Sequence, residues 1–160
     1  ENSNNSFISI QEEIEQLELY INLEAIRFKN KFQYSLDLDD ELKSGMYEIP
    51  GMIIQPIIEN AILHGLVNKE GNEGSLTLTF KLKAETIIGI IEDNGIGRKK
   101  AVSIKESKEL HYQSSAELNI KSRLELLEKA LGKEVSFQIK DLFKNDEPCG
   151  TRVTVTLPFM

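Results

Sequence analysis

Asn60 and His64 stand four residues apart in Pro-Gly-Met-Ile-Ile-Gln-Pro-Ile-Ile-Glu-Asn-Ala-Ile-Leu-His-Gly, which runs from Pro50 to Gly65. On a helix this spacing puts an amide and an imidazole on one flank, one turn apart, while Glu59 falls on the opposite flank. No opposite charge explains the pair, so the two residues suggest a site. A second stretch, Ile-Ile-Glu-Asp-Asn-Gly-Ile-Gly from Ile90 to Gly97, supplies what that site could hold. A carboxylate at Asp93, ending an apolar strand, can accept a hydrogen bond from an exocyclic amine such as that of adenine. Gly95 and Gly97 would let the backbone turn sharply and approach a flat ring with no Cβ in the way. A glycine pair after a strand is more often only a turn. A dinucleotide fingerprint would need a third glycine where Lys100 stands, a Gly-x4-Gly-Lys-Ser/Thr phosphate loop is absent, and an EF-hand would need more oxygen ligands.

The elements that position these residues follow from periodicity. Ile54, Ile57, Ile58, Ala61 and Ile62 recur at helical spacing, with Pro50 suited to the helix start and Gly65 to its stop. Ser9 and Glu12 form a capping box ahead of a first helix. That helix carries two apolar stripes, Ile10, Ile14, Leu17, Ile21 and Phe28 on one and Leu19, Leu23 and Ile26 on the other. Two stripes predict cover on more than one side, by the helix's own domain or by a coiled-coil-like partner. Lys31 to Leu38 reads as a strand, and the acidic run Asp37 to Glu41 with Gly45 as a loop. Ser75 to Lys83 alternates as a half-buried antiparallel strand, and Thr86 to Glu92 as its central neighbour. Arg98 to Ser115 reads mostly as a mobile loop. Leu118 to Leu131 reads as a helix ended by Gly132, followed by two strands separated by a polar loop holding Pro148 and Gly150. Hairpin-linked strands with helices between them predict an α+β sandwich, helices packed on one face of a mixed, mostly antiparallel sheet.

The 160 residues suit one domain with a sizeable core. A net charge of -7 argues against a nucleic-acid groove, which needs clustered basic residues. The single cysteine, Cys149, excludes a disulfide framework within the chain. No apolar run is long enough to span a bilayer. The chain opens Glu-Asn-Ser-Asn-Asn-Ser with no initiator Met and is read as a piece of a longer protein.

Joined together, the motifs become specific. Glu59 to Gly65, Asp93 to Gly97 and Gly150-Thr151-Arg152-Val153 resemble the N, G1 and closing Gly-Thr elements of the GHKL superfamily, and more closely the LytS-type sensor histidine kinases. Tyr20, Arg27-Phe28, Ile49-Pro50, Gln55-Pro56, Arg123 to Leu127 and Leu157-Pro158 agree with that likeness, which covers the chain from Ile10 onward. The resemblance implies a Bergerat-type ATP-binding domain over residues 32–160, with residues 1–31 leading from an acceptor-histidine region outside the chain. Asp93 would bind the adenine amine, Gly95 and Gly97 would shape the base pocket, and Thr151 would sit beside Asp93. Asn60 would hold Mg²⁺ bridging the phosphates of ATP. His64 would lie beside those phosphates or serve as a hydrogen-bonded histidine at a helix end. Arg98, Lys99 and Lys100 would draw in the triphosphate or form a solvated basic run.

The implied activity is transfer of the ATP γ-phosphoryl to a histidine on a helix of the same dimer, and thence to a response regulator. Neither His64 nor His111 stands in the context of that acceptor. The parent would be a homodimer anchored in the inner membrane with this domain in the cytoplasm. Related hydrolases keep a water-activating Glu one turn before the Asn, where this chain has Pro56, so transfer is favoured over hydrolysis. Glu59 is expected to pair with Arg27. Two departures, Leu63 for a lysine and Glu117 for a lid glycine, define the alternative of a degenerate, non-catalytic nucleotide-binding or dimerisation module.

Overall fold

Alternating strands and amphipathic helices assemble into one sheet with its helices on one face. The computed structural model describes residues 7–98, 112–133 and 135–160. In chain order the elements are β1 (Phe7–Ser9), α1 (Ile10–Arg27), β2 (Phe32–Leu38), β3 (Glu48–Pro50), α2 (Ile54–Asn60), β4 (Gly74–Lys83), β5 (Thr86–Asp93), α3 (Tyr112–Leu131), β6 (Ser136–Lys144) and β7 (Glu147–Pro158). The main sheet has the order β2-β4-β5-β7-β6, with β2–β4 parallel and the other pairs antiparallel. β1 and β3 form a small antiparallel pair. The α+β sandwich with a mostly antiparallel sheet is thus the observed architecture.

Period-two alternation decides which face of the sheet is buried. Leu76, Leu78 and Phe80 of β4, Ile87 and Ile91 of β5, and Val155 and Leu157 of β7 all point inward. They meet Ile54, Ile57, Ile58 and Ile62 of the second helical segment, Ile10, Ile14, Leu17 and Ile21 of α1, and Ile120, Leu124 and Leu127 of α3 in one core. Gly89 lies opposite Phe80, and a Cβ there would come 3.2 Å from the ring. The glycine makes room for the aromatic at the centre of the sheet. At the start of α1, Ser9 Oγ accepts from the Glu12 N–H at 3.0 Å, which caps the helix as its sequence predicts.

Several local expectations are corrected. Pro50 belongs to β3, and the helix starts only at Ile54, after a turn in which Met52 has φ +65°. Gly65 does not stop that helix. The chain continues from Ala61 to Leu66 as a wider turn, with the Val67 N–H reaching the Ile62 carbonyl five residues back at 2.9 Å. The expected acidic loop is a 3₁₀ turn, Asp40–Ser44, that buries Leu42 and ends on left-handed Gly45. Helix α3 begins at Tyr112, earlier than the apolar period indicates. Pro148 and Gly150 lie inside β7, and the reversal is made at Asn145 and Asp146, both at positive φ. The second stripe of α1 is not covered by the chain's own core.

Candidate active site

Asp93 is the last residue of β5, and inward alternation along Ile87, Gly89 and Ile91 carries its side chain to the helical side of the sheet. Burial to 5% exposure pushes its carboxyl up to about 7, and the charge of Glu92 adds to the rise. Backbone N–H groups of Gly95, which donates to Oδ1 at 2.8 Å, and of Thr151 oppose it. A carboxyl held this way balances between acid and carboxylate near neutral pH, ready to accept from a ligand amine.

The backbone around Asp93 is packed too closely for side chains. A Cβ on Gly95 would lie 2.3 Å from the Gly65 carbonyl carbon, and the Ile96 N–H donates to the Gly65 carbonyl at 3.3 Å. A Cβ on Gly65 would lie 3.0 Å from Asp93 Oδ1, and one on Gly150, which has φ +139°, would overlap the Asp93 carbonyl at 2.0 Å. These three glycines let the wide helical turn, the β5 end and β7 converge on one carboxyl. Gly97, at φ +87°, then turns the chain away.

In front of Asp93 opens a cleft whose space of about 550 Å³ includes open solvent. Of the six residues expected to hold nucleotide, Asn60, His64, Asp93, Gly97 and Thr151 line it. Gly95 is not in the lining and packs closely against Gly65. Apolar walls come from Ile57, Ile91, Ile120, Phe137, Ile139 and Val153. A mostly apolar lining therefore includes one buried carboxyl, Asp93, together with the Asn60 amide and the largely buried His64. Arg98 also reaches the cavity, but its guanidinium is clamped by Asp141 of β6 in two contacts, at 2.8 and 3.0 Å. Lys99, Lys100 and His111 lie outside the described residues, as does the side chain of Glu117.

Glu59 is absent from the cavity lining and accepts from Gln55 Nε2 at 3.2 Å. Its expected ion pair with Arg27 is not formed, because Arg27 binds Glu24 on its own helix at 3.3 Å. Being three residues away on the same face, Glu24 captures the guanidinium first. Sequence reasoning missed Asp141, the Gly65–Gly95 contact and the anchoring role of Arg123. Arg123 of α3 donates to the Met52 carbonyl at 2.6 Å and the Gly51 carbonyl at 2.8 Å, fastening α3 to the turn before α2 one helical turn beyond Ile120 of the cavity wall. Asn94 was also passed over. Its amide accepts from the Ser75 N–H at 2.7 Å and donates to the Glu73 carbonyl at 3.1 Å, tying the β5 end to the start of β4.

No family model matches the chain. It is 30% identical over 159 residues to the sensor protein LytS of Staphylococcus saprophyticus, a match covering 97% of this chain and 25% of that protein. It is 31% identical over 121 residues to the sensor histidine kinase YpdA of Escherichia coli, covering 75% of this chain and 21% of that one. The chain therefore spans about a quarter of the length of these relatives. Among solved structures, the catalytic domain of histidine kinase ThkA superposes with a TM-score of 0.59 at 12% identity, covering 96% of this chain and 94% of that domain. At that identity the likeness is one of fold.

Proposed function

We propose that this chain, related along nearly its whole length to the LytS-type sensor histidine kinases and carrying the fold of a histidine kinase catalytic domain, binds ATP and transfers its γ-phosphoryl to a histidine outside the chain. The observation that carries the reading is the buried Asp93 carboxyl in a mostly apolar cavity that Asn60 and His64 also line. Adenine, a flat ring with apolar faces, suits such apolar walls, and its exocyclic amine can donate to Asp93. The apolar walls take the ring faces and exclude water from that hydrogen bond. Thr151, paired with Asp93 in the β5–β7 register, completes the polar end.

The phosphates then run toward Asn60 and His64. Among the described residues no three His, Cys, Asp or Glu side chains cluster as a metal cage. Asn60, whose amide oxygen suits a hard cation, would hold Mg²⁺ here. Bound there, the ion would neutralise phosphate charge. The chain's own residues fix the nucleotide at its base and leave the open side for the acceptor imidazole. Phosphoryl transfer asks for this kind of positioning and charge neutralisation more than for a protein base. Pro56, one turn before Asn60, offers no base to a water. Residues 1–31 would lead in from the acceptor-bearing segment, a response regulator would take the phosphoryl group onward, and the whole protein would sit at the membrane. Among the described residues no helix is long and apolar enough to cross one.

Calorimetric titration of the chain with Mg-ATP, with Asp93→Asn as control, tests the reading. Binding in the micromolar-to-millimolar range, lost in the variant and weakened by removing Mg²⁺, supports it. An absence of heat at millimolar nucleotide would move the function to a non-catalytic module, and Glu117→Gly would then show whether the lid is responsible.

A further inference from the structure

Arg98 and Asp141 form an ion pair to which the proposed nucleotide site gives no task. Asp93 pairs with Thr151 across β5 and β7, and Thr151 pairs with Asp141 across β7 and β6. Phe137 and Ile139 of β6 line the cavity. Asp141, two residues on, shares their face, since the irregularity in the β6–β7 register comes only after Leu142. Neighbouring strands lie about 5 Å apart, so Asp93 and Asp141 stand on one rung with their backbones about 10 Å apart and Thr151 between them.

Arg98 comes to this rung from the loop after β5. Gly97, at φ +87°, lies against β7, where a Cβ would come 3.0 Å from Pro148 Cβ, and the next residue reaches β6. Arg98 Nε donates to Asp141 Oδ1 at 2.8 Å and Nη2 donates to Oδ2 at 3.0 Å. Two parallel contacts fix the plane of a guanidinium as well as its place. Arg98 is in the cavity lining and Asp141 is not, so Asp141 acts on the cavity through Arg98. The two residues also border a second, smaller hollow with Leu142, Phe143 and Pro148, so the pair stands as a wall between the two spaces.

Charge decides what this wall can meet. The cation is offset by a carboxylate at 2.8 Å, and Asp93 adds a second carboxyl on the same rung. A triphosphate brought here would face both. A neutral aromatic ring meets no such repulsion, and a planar guanidinium packs well on its face. The arginine expected to draw in the phosphates thus shares a rung with the carboxyl assigned to the base.

We infer that Arg98, aimed by Asp141, packs its guanidinium against the purine ring and sets affinity for the base, with Asp141 a positioning residue that keeps it off the phosphates. The inference rests on the reading that this cavity takes ATP with its adenine at Asp93.

Calorimetric titration of the chain with ATP, ADP and AMP in the presence of Mg²⁺ separates base from phosphates. Arg98→Ala with Asp141→Ala in one chain leaves the net charge unchanged and should weaken all three ligands alike, by about fivefold, as for loss of a stacked guanidinium. Arg98→Lys keeps the charge without the plane and should lose nearly as much. It carries the same comparison should the double variant not fold. Asp141→Ala alone lets the guanidinium turn toward the phosphates, so AMP should weaken while ATP holds, and the ratio of their affinities should widen several-fold. A merely structural pair would move the melting temperature and leave that ratio alone. A loss that grows with phosphate number in the double variant, full rescue by Arg98→Lys, or an unchanged ratio in Asp141→Ala would each overturn the inference and leave the nucleotide site standing. A parent chain that bound none of the three would bring down the reading of the site and the inference together.

Discussion

Two carboxyls, Asp93 at the end of β5 and Glu13 on the first turn of α1, are buried to 5% and 4% exposure, and desolvation pushes each up to about 7. Their neighbourhoods differ. Glu13 sits under α1 in the positive field of Arg123, the residue that fastens α3 to the Gly51 and Met52 carbonyls. Asp93 is held by backbone N–H groups alone and opens onto a cavity. A shifted pKa therefore marks burial in both places and a cavity beside the group in only one. What separates them is space beside the group and a hydrogen-bond acceptor left facing that space.

The sharpest way to break this comparison is to neutralise each carboxyl. Asp93→Asn removes the charge that accepts from the ligand amine, and nucleotide affinity should fall on the order of 50-fold or more, as for loss of a charged hydrogen bond. Glu13→Gln should leave affinity within about twofold, since the site makes no use of Glu13. Titration calorimetry on both variants reads the contrast. Equal losses would show that Glu13 is part of the binding machinery.

Stability should sort the pair the other way. Arg123→Ala strips two backbone carbonyls of their donor and leaves Glu13 buried without its cation, at a cost of about 2–4 kcal/mol in urea denaturation. Asp93→Asn removes a carboxyl that burial penalises when ionised, so at pH 8 it should be neutral or stabilising by about 1 kcal/mol. A large loss from Asp93→Asn would mean that its two backbone hydrogen bonds matter more to the fold than its desolvation.

Much of this was legible in the sequence because it rested on period and spacing. The core stripe from Ile54 to Ile62, the alternation of β4 and the Asp93-Asn94-Gly95-Ile96-Gly97 turn all state their geometry locally. The contacts that complete the site did not. That Gly95 packs against Gly65 is a relation between segments 30 residues apart, and Asp141 reaches Arg98 only because β6 pairs at the far edge of the sheet. The ion pair forecast for Glu59 failed for a related reason. Its supposed partner had a nearer carboxylate on its own helix, and helical proximity outranked the tertiary guess.

The shared pKa shift makes a smaller, shared prediction. Both folded-state values lie above the ordinary ones of 3.8 and 4.5, so between about pH 4 and 7 the unfolded chain ionises these groups while the folded chain keeps their protons. Their contribution to stability is complete below pH 4, declines as pH rises and levels off above about 7. Urea midpoints across this range should show a decline that Asp93→Asn and Glu13→Gln each flatten in part. Saturating Mg-ATP should flatten only the Asp93 share, because a donor on the carboxylate favours ionisation. For the same reason nucleotide should bind more weakly at pH 6 than at pH 8, and less so in Asp93→Asn. If nucleotide instead flattened the Glu13 share, the ligand would be acting through α1.

The finest distinction comes from Gly65→Ala. Gly65 lies in a helical turn without positive φ, so alanine fits the backbone and gains up to about 1 kcal/mol of helix propensity over glycine. Its Cβ would stand 3.0 Å from Asp93 Oδ1, close enough to force the carboxyl to shift by a few tenths of an ångström. Folding should stay within about 1 kcal/mol of the parent chain, the propensity gain offsetting the crowding. Affinity should fall several-fold, since the angle at which Asp93 meets the ligand amine is what the new methyl disturbs. Glu13, far from this turn, offers an internal standard, for its share of the pH dependence should not move. An unchanged affinity in Gly65→Ala would mean that the carboxyl has room to recentre, and that charge at Asp93, rather than its placement by the glycine pair, governs recognition.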